Sequence, residues 1–260
     1  MLGRHDVVIA YQGTATSSEW LENLSATLTC LPDNMAPENY DQPMVQSGFL
    51  SLYTTNTQCD LSLLDTIREE IGNILDKSND EPLSITVTGH SLGAALATLT
   101  TYDITTKFSH APIVTVVSFG GPRVGNRSFR CQLEKNCTNV LFIVNSDDPV
   151  TKVPGFVVDD DFNDVAGKWT ASMVAGALPS WLQKCMEETQ WVYAEVGKEL
   201  RLSSKDLSPQ ITKENVATCD DLKTYLHLVN NFVSTSSPLR TKEKEVHKKE
   251  QPHDINAALV

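Results

Sequence analysis

Apolar and polar positions along this 260-residue chain fall into short blocks of two kinds. The first kind is β-branched and brief: "DVVIAY" (Asp6 to Tyr11), Leu83 to Thr88, "IVTVVSFG" (Ile113 to Gly120) and "VLFIVN" (Val140 to Asn145). The last two are unbroken apolar runs, the pattern of parallel strands covered on both faces. The second kind has helical spacing. Leu64, Ile67, Ile71, Ile74 and Leu75 predict a helix over Leu61 to Ser78, with Asp60 as its N-cap. Glu19 to Leu28 reads as a short amphipathic helix, and Leu31 to Pro43, with three prolines, as a loop. A small-residue helix opens near Ser91, Tyr193 to Leu202 alternates like an edge strand, and Asp220 to Val233 is helical. Strand–helix–strand alternation of this kind predicts an α/β fold around a mainly parallel sheet with right-handed crossovers. The whole of 1–260 reads as one domain, closed by a solvated, mixed-charge tail over 238–260.

Composition narrows the partners. Hydrophobic residues make up 40% and charged residues 21%, an ordinary globular balance. The net charge of −12 argues against nucleic acid and against electrostatic attachment to anionic lipid. Apolar contact with a neutral or zwitterionic lipid surface stays open. No apolar run approaches the ~20 residues of a spanning helix, so no transmembrane segment is expected. The N-terminus enters a strand almost at once, without a secretory or transit pattern, which reads as cytoplasmic for the chain as it stands. The six cysteines have no C-x-x-C spacing and read as reduced thiols; no cluster of His, Cys and carboxylates suggests a metal.

The chemistry concentrates in "SITVTGHSLGAALATLTTYD", Ser84 to Asp103. "GHSLG" (Gly89, His90, Ser91, Leu92, Gly93) matches G-x-S-x-G between a buried strand and a small-residue helix. That is the setting of a nucleophile elbow, in which a strained turn presents the serine hydroxyl in the open. The two glycines let helix and strand pass closely. At the helix N-terminus, unpaired N–H groups and the positive dipole end favour a developing oxyanion. A serine needs a base, and in hydrolases of this architecture an acid and then a histidine follow it in the chain. Asp147 and Asp148 lie where "VNSDDPVTKVPG" leaves the sheet, and either could serve. Among the downstream histidines, His110 comes too early and His247 and His253 sit in the tail, which leaves His227. His90 adjoins Ser91 directly and is expected to point away from the hydroxyl. The N–H groups of Leu92 and Thr14 are the candidate oxyanion donors. "WTASMVAGALPSWLQ" (Trp169 to Gln183) offers an apolar stripe for acyl chains or for core packing.

Taken together, "GTATSSEWLENLSATLT", "VQSGFLSLYT", "VVSFGGPRVGNRSFR", "VLFIVNSDDPVTKVPGF" and "DLKTYLHLVNNFVS" with the elbow resemble the plant class 3 lipases of the phospholipase A1 type. The resemblance implies an α/β-hydrolase fold, cleavage of the sn-1 acyl ester of phospholipids, galactolipids or acylglycerols, transient contact with a lipid surface, and no cofactor. It implies Ser91 as nucleophile, Asp148 as acid because the D-x-V-x-x-x-P pattern starts there, and Thr14 at the oxyanion position. The family usually reads R-G-T where this chain has Gln12-Gly13-Thr14. Its usual catalytic histidine falls at Asp220, seven residues before His227. Relatives also carry a long N-terminal extension with a plastid transit segment, implying a chloroplast location for them, and continue beyond "DINAALV". Asp220 favours a second expectation: a lipase-like protein that no longer turns over and acts by binding lipid or a partner.

Overall fold

The β-branched blocks become the sheet. A computed structural model describes residues 5–13, 27–36, 42–56, 61–78, 83–108, 111–136, 139–152, 154, 156–157, 192–204 and 219–236. Five strands, β1 (His5–Tyr11), β4 (Leu83–His90), β5 (Ile113–Phe119), β6 (Asn139–Asn145) and β9 (Lys198–Leu202), stand side by side in the order β1-β4-β5-β6-β9. Every neighbouring pair among them is parallel. Four shorter strands form two separate pairs. β2 (Leu28–Cys30) runs antiparallel to β3 (Met44–Gln46), and β7 (Phe156–Val157) runs parallel to β8 (Val192–Tyr193).

The helices are α1 (Ser47–Thr54), α2 (Leu63–Lys77), α3 (Leu92–Lys107), α4 (Arg127–Lys135) and α5 (Leu222–Ser236). α3 is buried all round from Gly93 to Ile104, as a helix enclosed by other elements must be. It packs on β1, β4 and β5, and α1, α2 and α4 pack on it in turn. Ile85, Val87, Val114 and Val116 face this core and are fully or almost fully buried. The expectation of a sheet equally covered on both faces needs correction among the described residues. Thr86, Thr88, Thr115 and Val117 on the opposite face are only half-buried, while Val8 and Ile113 are 65% and 60% exposed.

α2 begins two residues later than its pattern suggests. Its N-cap is Ser62, whose hydroxyl oxygen accepts from the Asp65 N–H at 3.1 Å, so Asp60 is not the cap. Arg68 on α2 donates from Nη2 and Nε to the two oxygens of Asp103 on α3, at 2.6 and 3.0 Å. Nη2 also donates to Asn34 O at 2.7 Å, so one guanidinium ties two helices and a loop. The single edge strand expected over Tyr193 to Leu202 is split by Gly197 at φ 73°, and only its second half, β9, joins the main sheet at the edge. α1 and α4 were not visible as helices in the sequence. The helix expected over Glu19 to Leu28 lies mostly outside the described residues, as do Trp169 to Gln183 and the 238–260 tail.

Candidate active site

β4 ends at His90 and α3 starts at Leu92, so Ser91 alone makes the turn, at φ 52° and ψ −121°. Among the described residues it is the one non-glycine residue with a positive φ. Backbone in this region costs of order 1–3 kcal/mol for a side chain that has a Cβ. The flanking glycines are required by space. A Cβ on Gly89 would lie 2.2 Å from Gly93 O, and one on Gly93 would lie 2.6 Å from Tyr11 O. The Ser91 N–H donates to Phe119 O at 3.0 Å, which locks the elbow to β5. The strain is as expected, but the openness is not. Ser91 is fully buried, and its Oγ has no hydrogen-bond partner among the described residues.

Leu92 opens α3, so its N–H belongs to the first turn, where amides have no partner within the helix. Thr14 lies outside the described residues. Gly13, just before it, is packed so closely on the end of β4 that a Cβ there would meet His90 O at 2.6 Å and His90 Nδ1 at 3.2 Å. The turn after β1 therefore crosses beside the elbow.

The two aspartates are held differently. Asp147 takes hydrogen bonds from the hydroxyls of Ser203 and Ser204 beyond β9, at 3.4 and 3.3 Å. Asp148 is fully buried: Oδ1 accepts from the Val150 N–H at 2.8 Å, and Oδ2 accepts from the Tyr225 hydroxyl at 2.6 Å. Burial pushes the Asp148 carboxyl up to about 6, with the Asp220 charge adding to the rise; Tyr225, the Val150 amide and His90 oppose it. The Tyr225 hydroxyl is held far above the usual phenol range by burial and by the Asp148 carboxylate.

Tyr225 was missed in the sequence. Its oxygen also accepts from the Asn145 N–H at 3.1 Å, and its ring lies edge-on to His90 with centroids 5.7 Å apart. His227 needs correction. Two residues turn an α-helix by about 200°, so with Tyr225 facing inward His227 faces outward, and it is exposed. It does not join Ser91 or Asp148. His110, His247 and His253 lie outside the described residues.

What stands near the elbow instead is Asp220. Asn145 Nδ2 donates to Cys219 O at 3.1 Å and pins the chain one residue before it. The Asp220 side chain is 6% exposed, and its Oδ1 lies 3.4 Å from His90 Nε2. Neither carboxylate oxygen of Asp220 has a hydrogen-bond donor among the described residues, and His90 Nε2 also lacks a partner of good geometry. His90 is thus turned toward a carboxylate, which the adjacency of His90 and Ser91 in sequence did not reveal. Among the described residues no group of His, Cys, Asp and Glu is arranged to hold a metal ion. A cleft bordered by Pro122, Arg123, Phe142, Val144, Lys152 and Arg201 opens beside β6 and β9, but it does not include Ser91, Asp148 or Asp220.

A parallel α/β sheet carrying a strained serine between strand and helix, with a buried aspartate after the next strand but one, defines an α/β-hydrolase. The fold agrees with that of the native Rhizomucor miehei lipase propeptide complex at a TM-score of 0.50 and 18% identity, over 78% of this chain and 50% of that one. The family model for "Lipase (class 3)" matches residues 8–158, and the chain belongs to that family. It is 58% identical over 249 residues to "Phospholipase A(1) DAD1, chloroplastic" of Arabidopsis thaliana, covering 94% of this chain and 54% of that protein. It is 38% identical over 240 residues to "Galactolipase DONGLE, chloroplastic" of the same plant, covering 88% and 46%. The chain spans about half the length of these relatives. No helix among the described residues is long and apolar enough to cross a membrane.

Proposed function

We propose that the chain is a carboxylic ester hydrolase acting on membrane lipids, releasing the sn-1 fatty acid from a phospholipid or galactolipid. The observation that carries this reading is Ser91 at positive φ, wedged between two glycines that admit no side chain. The relatives' names support the substrate class, and the serine's position supports acyl transfer. Ser91 Oγ attacks the ester carbonyl, and the Leu92 N–H, together with that of Thr14, receives the oxyanion; each such donor is worth about 3–4 kcal/mol. Asp148, ionised above about pH 6, supplies a negative charge to the site. The scissile ester must reach a covered hydroxyl, so substrate binding involves movement of what lies over Ser91. Relatives named as chloroplastic favour a plastid membrane as the working surface.

The test is labelling with a fluorescent alkyl phosphonate, alongside release of fatty acid from sn-1-labelled phosphatidylcholine and monogalactosyldiacylglycerol. Labelling that vanishes in Ser91→Ala supports the reading. An unlabelled wild type beside a reactive lipase control refutes it. Asp220 in place of an imidazole favours a second reading, a lipid-holding protein without turnover; vesicle binding that persists with no labelling and no release would support it.

A further inference from the structure

We propose that the cleft beside β6 and β9 is a second binding site, one that takes a fatty-acid anion with its acyl chain on the apolar floor and its carboxylate at the cationic rim. That the amphiphile is a fatty acid rests on the proposed hydrolase reading, whose product it is. The site itself does not depend on turnover.

The sheet register builds the floor. β9 pairs with β6 so that Phe142 stands beside Glu199 and Val144 beside Arg201. Residues two apart on a strand share a face, and in-register neighbours on the next strand share it too. Phe142, Val144 and Val196 supply the apolar lining, and two loops wall it, one carrying Pro122 and Arg123 and the other Ala194 to Gly197. The loops are tied down. The Ala194 N–H donates to Gly125 O at 2.9 Å, the Gly197 N–H to Glu134 Oε1 at 3.2 Å, and Arg123 Nη1 to Lys152 O at 2.6 Å. A pre-formed, mainly apolar concavity with a few charged groups at its edge is the usual form of a small-molecule site.

Charge selects the head of the ligand. The chain carries −12, yet this cleft gathers Arg123, Lys152 and Arg201 against Glu195 and Glu199. Glu195 lies 4.0 Å from Arg123 Nη2 with its side chain 59% exposed, and Glu199 pairs with Arg201 Nε. Lys152 Nζ donates to Ser146 O at 3.3 Å and has no carboxylate partner among the described residues. One positive charge is left over, which suits a monoanion, and the low-dielectric floor strengthens its field. An uncharged galactosyl head gains nothing from it. The cleft lies next to the reaction centre without being part of it. The turn Val150–Lys152 contributes Thr151 and Lys152 to its lining and, through the Val150 N–H, holds Asp148 Oδ1 at 2.8 Å.

The experiment titrates the full chain calorimetrically with decanoate below its micelle concentration. One-to-one binding is expected, and it should weaken as salt is added because the rim is exposed. 1-Decanoylglycerol has the same chain without the charge and should bind about fivefold more weakly. Inorganic phosphate has charge without the chain and should bind about tenfold more weakly or less. Lys152→Gln/Arg201→Gln changes two exposed side chains and should weaken decanoate about fivefold, with the fold checked by circular dichroism. Binding should persist in protein whose Ser91 carries the phosphonate. Loss of binding there would place decanoate at the reaction centre and overturn the second site. Absence of decanoate binding, or binding indifferent to head charge, salt and the double variant, would overturn it as well. Tighter binding of a decanoyl lysophosphatidylglycerol, whose head is a phosphodiester monoanion, would overturn the fatty acid in favour of an anionic lipid head group. If the wild type neither labels nor turns over while decanoate binds as described, the hydrolase reading falls and the site stands.

Discussion

Asp148 offers the sharpest quantitative test of the geometry. Its carboxyl is raised from an ordinary 3.8 to about 6, chiefly by burial. A raised acid holds more protons in the folded than in the unfolded chain between those two values. Its contribution to stability is therefore complete below about pH 4 and is lost as pH rises through about 6. A shift of about two units corresponds to about 3 kcal/mol. Asp148→Asn removes the titration and leaves the shape. Asparagine keeps one acceptor for Tyr225 or Val150 and loses the other, a pH-independent cost of about 1–3 kcal/mol.

The quantity to measure is accordingly a slope. Urea unfolding of wild type and Asp148→Asn, followed by far-UV circular dichroism from about pH 4 to about pH 7.5, gives the stability difference at each pH. Relative to Asp148→Asn, wild type should lose about 3 kcal/mol across that range, most of it before about pH 6.5. In an Asp220→Asn background the loss should shrink but persist, because the Asp220 charge is a secondary cause of the shift and burial is the primary one. A difference curve that stays flat with pH, or that rises, would refute the placement of Asp148 as a buried carboxylate beside a second one.

Four further outcomes follow from the surroundings of named residues. Ser91→Gly should raise stability by about 1–3 kcal/mol in thermal unfolding while abolishing phosphonate labelling, because glycine accepts the φ of 52° without strain; an unchanged or lowered melting temperature would count against the strained elbow. Arg68→Met strands Asp103, whose side chain is 1% exposed, and should cost about 3–5 kcal/mol, most of it recovered in the double variant Arg68→Met/Asp103→Leu. Gly120→Ala places a Cβ 2.8 Å from the Tyr225 ring at a backbone φ of +55°, so it should displace the Tyr225 hydroxyl from Asp148 and depress turnover. Leu226→Ala, at a side chain 52% exposed on the same helix, should leave both turnover and stability nearly unchanged.

The sheet was largely legible because parallel strands buried on the core face bring Val and Ile together in runs, and β4, β5 and β6 begin and end within two residues of those runs. α1 and α4 were hidden by brevity. α4 has nine residues, of which only Phe129 and Leu133 are buried, and its real start signal is Asn126 capping the Phe129 N–H at 2.9 Å. The nucleophile was legible because spacing alone exposes an elbow: two glycines and a serine at a strand–helix junction have few other uses. The rest of the site was not legible, because it depends on the phase of α5. That helix carries apolar residues on more than one face, with Tyr225 and Leu228 buried while Leu226, Phe232 and Val233 are 52%, 41% and 58% exposed. The bond that the Tyr225 hydroxyl accepts from the Asn145 N–H and the one it donates to Asp148 are what the phase satisfies, and no periodicity reports them. Asn145 was the available clue, a polar residue closing an otherwise apolar buried strand.

The distribution of cost within the molecule argues that this site performs chemistry. Ser91 holds an unfavourable backbone, Asp148 holds a carboxyl pushed up toward neutrality, and Asp220 holds a buried carboxylate with no donor among the described residues. The buried Asp103, by contrast, receives two bonds from Arg68, and the capping hydroxyl of Ser62 is used twice, as donor and as acceptor. Strained backbone and costly buried carboxylates gathered at one place are what a functional centre shows. Single substitutions would relax two of these features, glycine at 91 removing the backbone strain and a neutral side chain at 220 removing the buried charge.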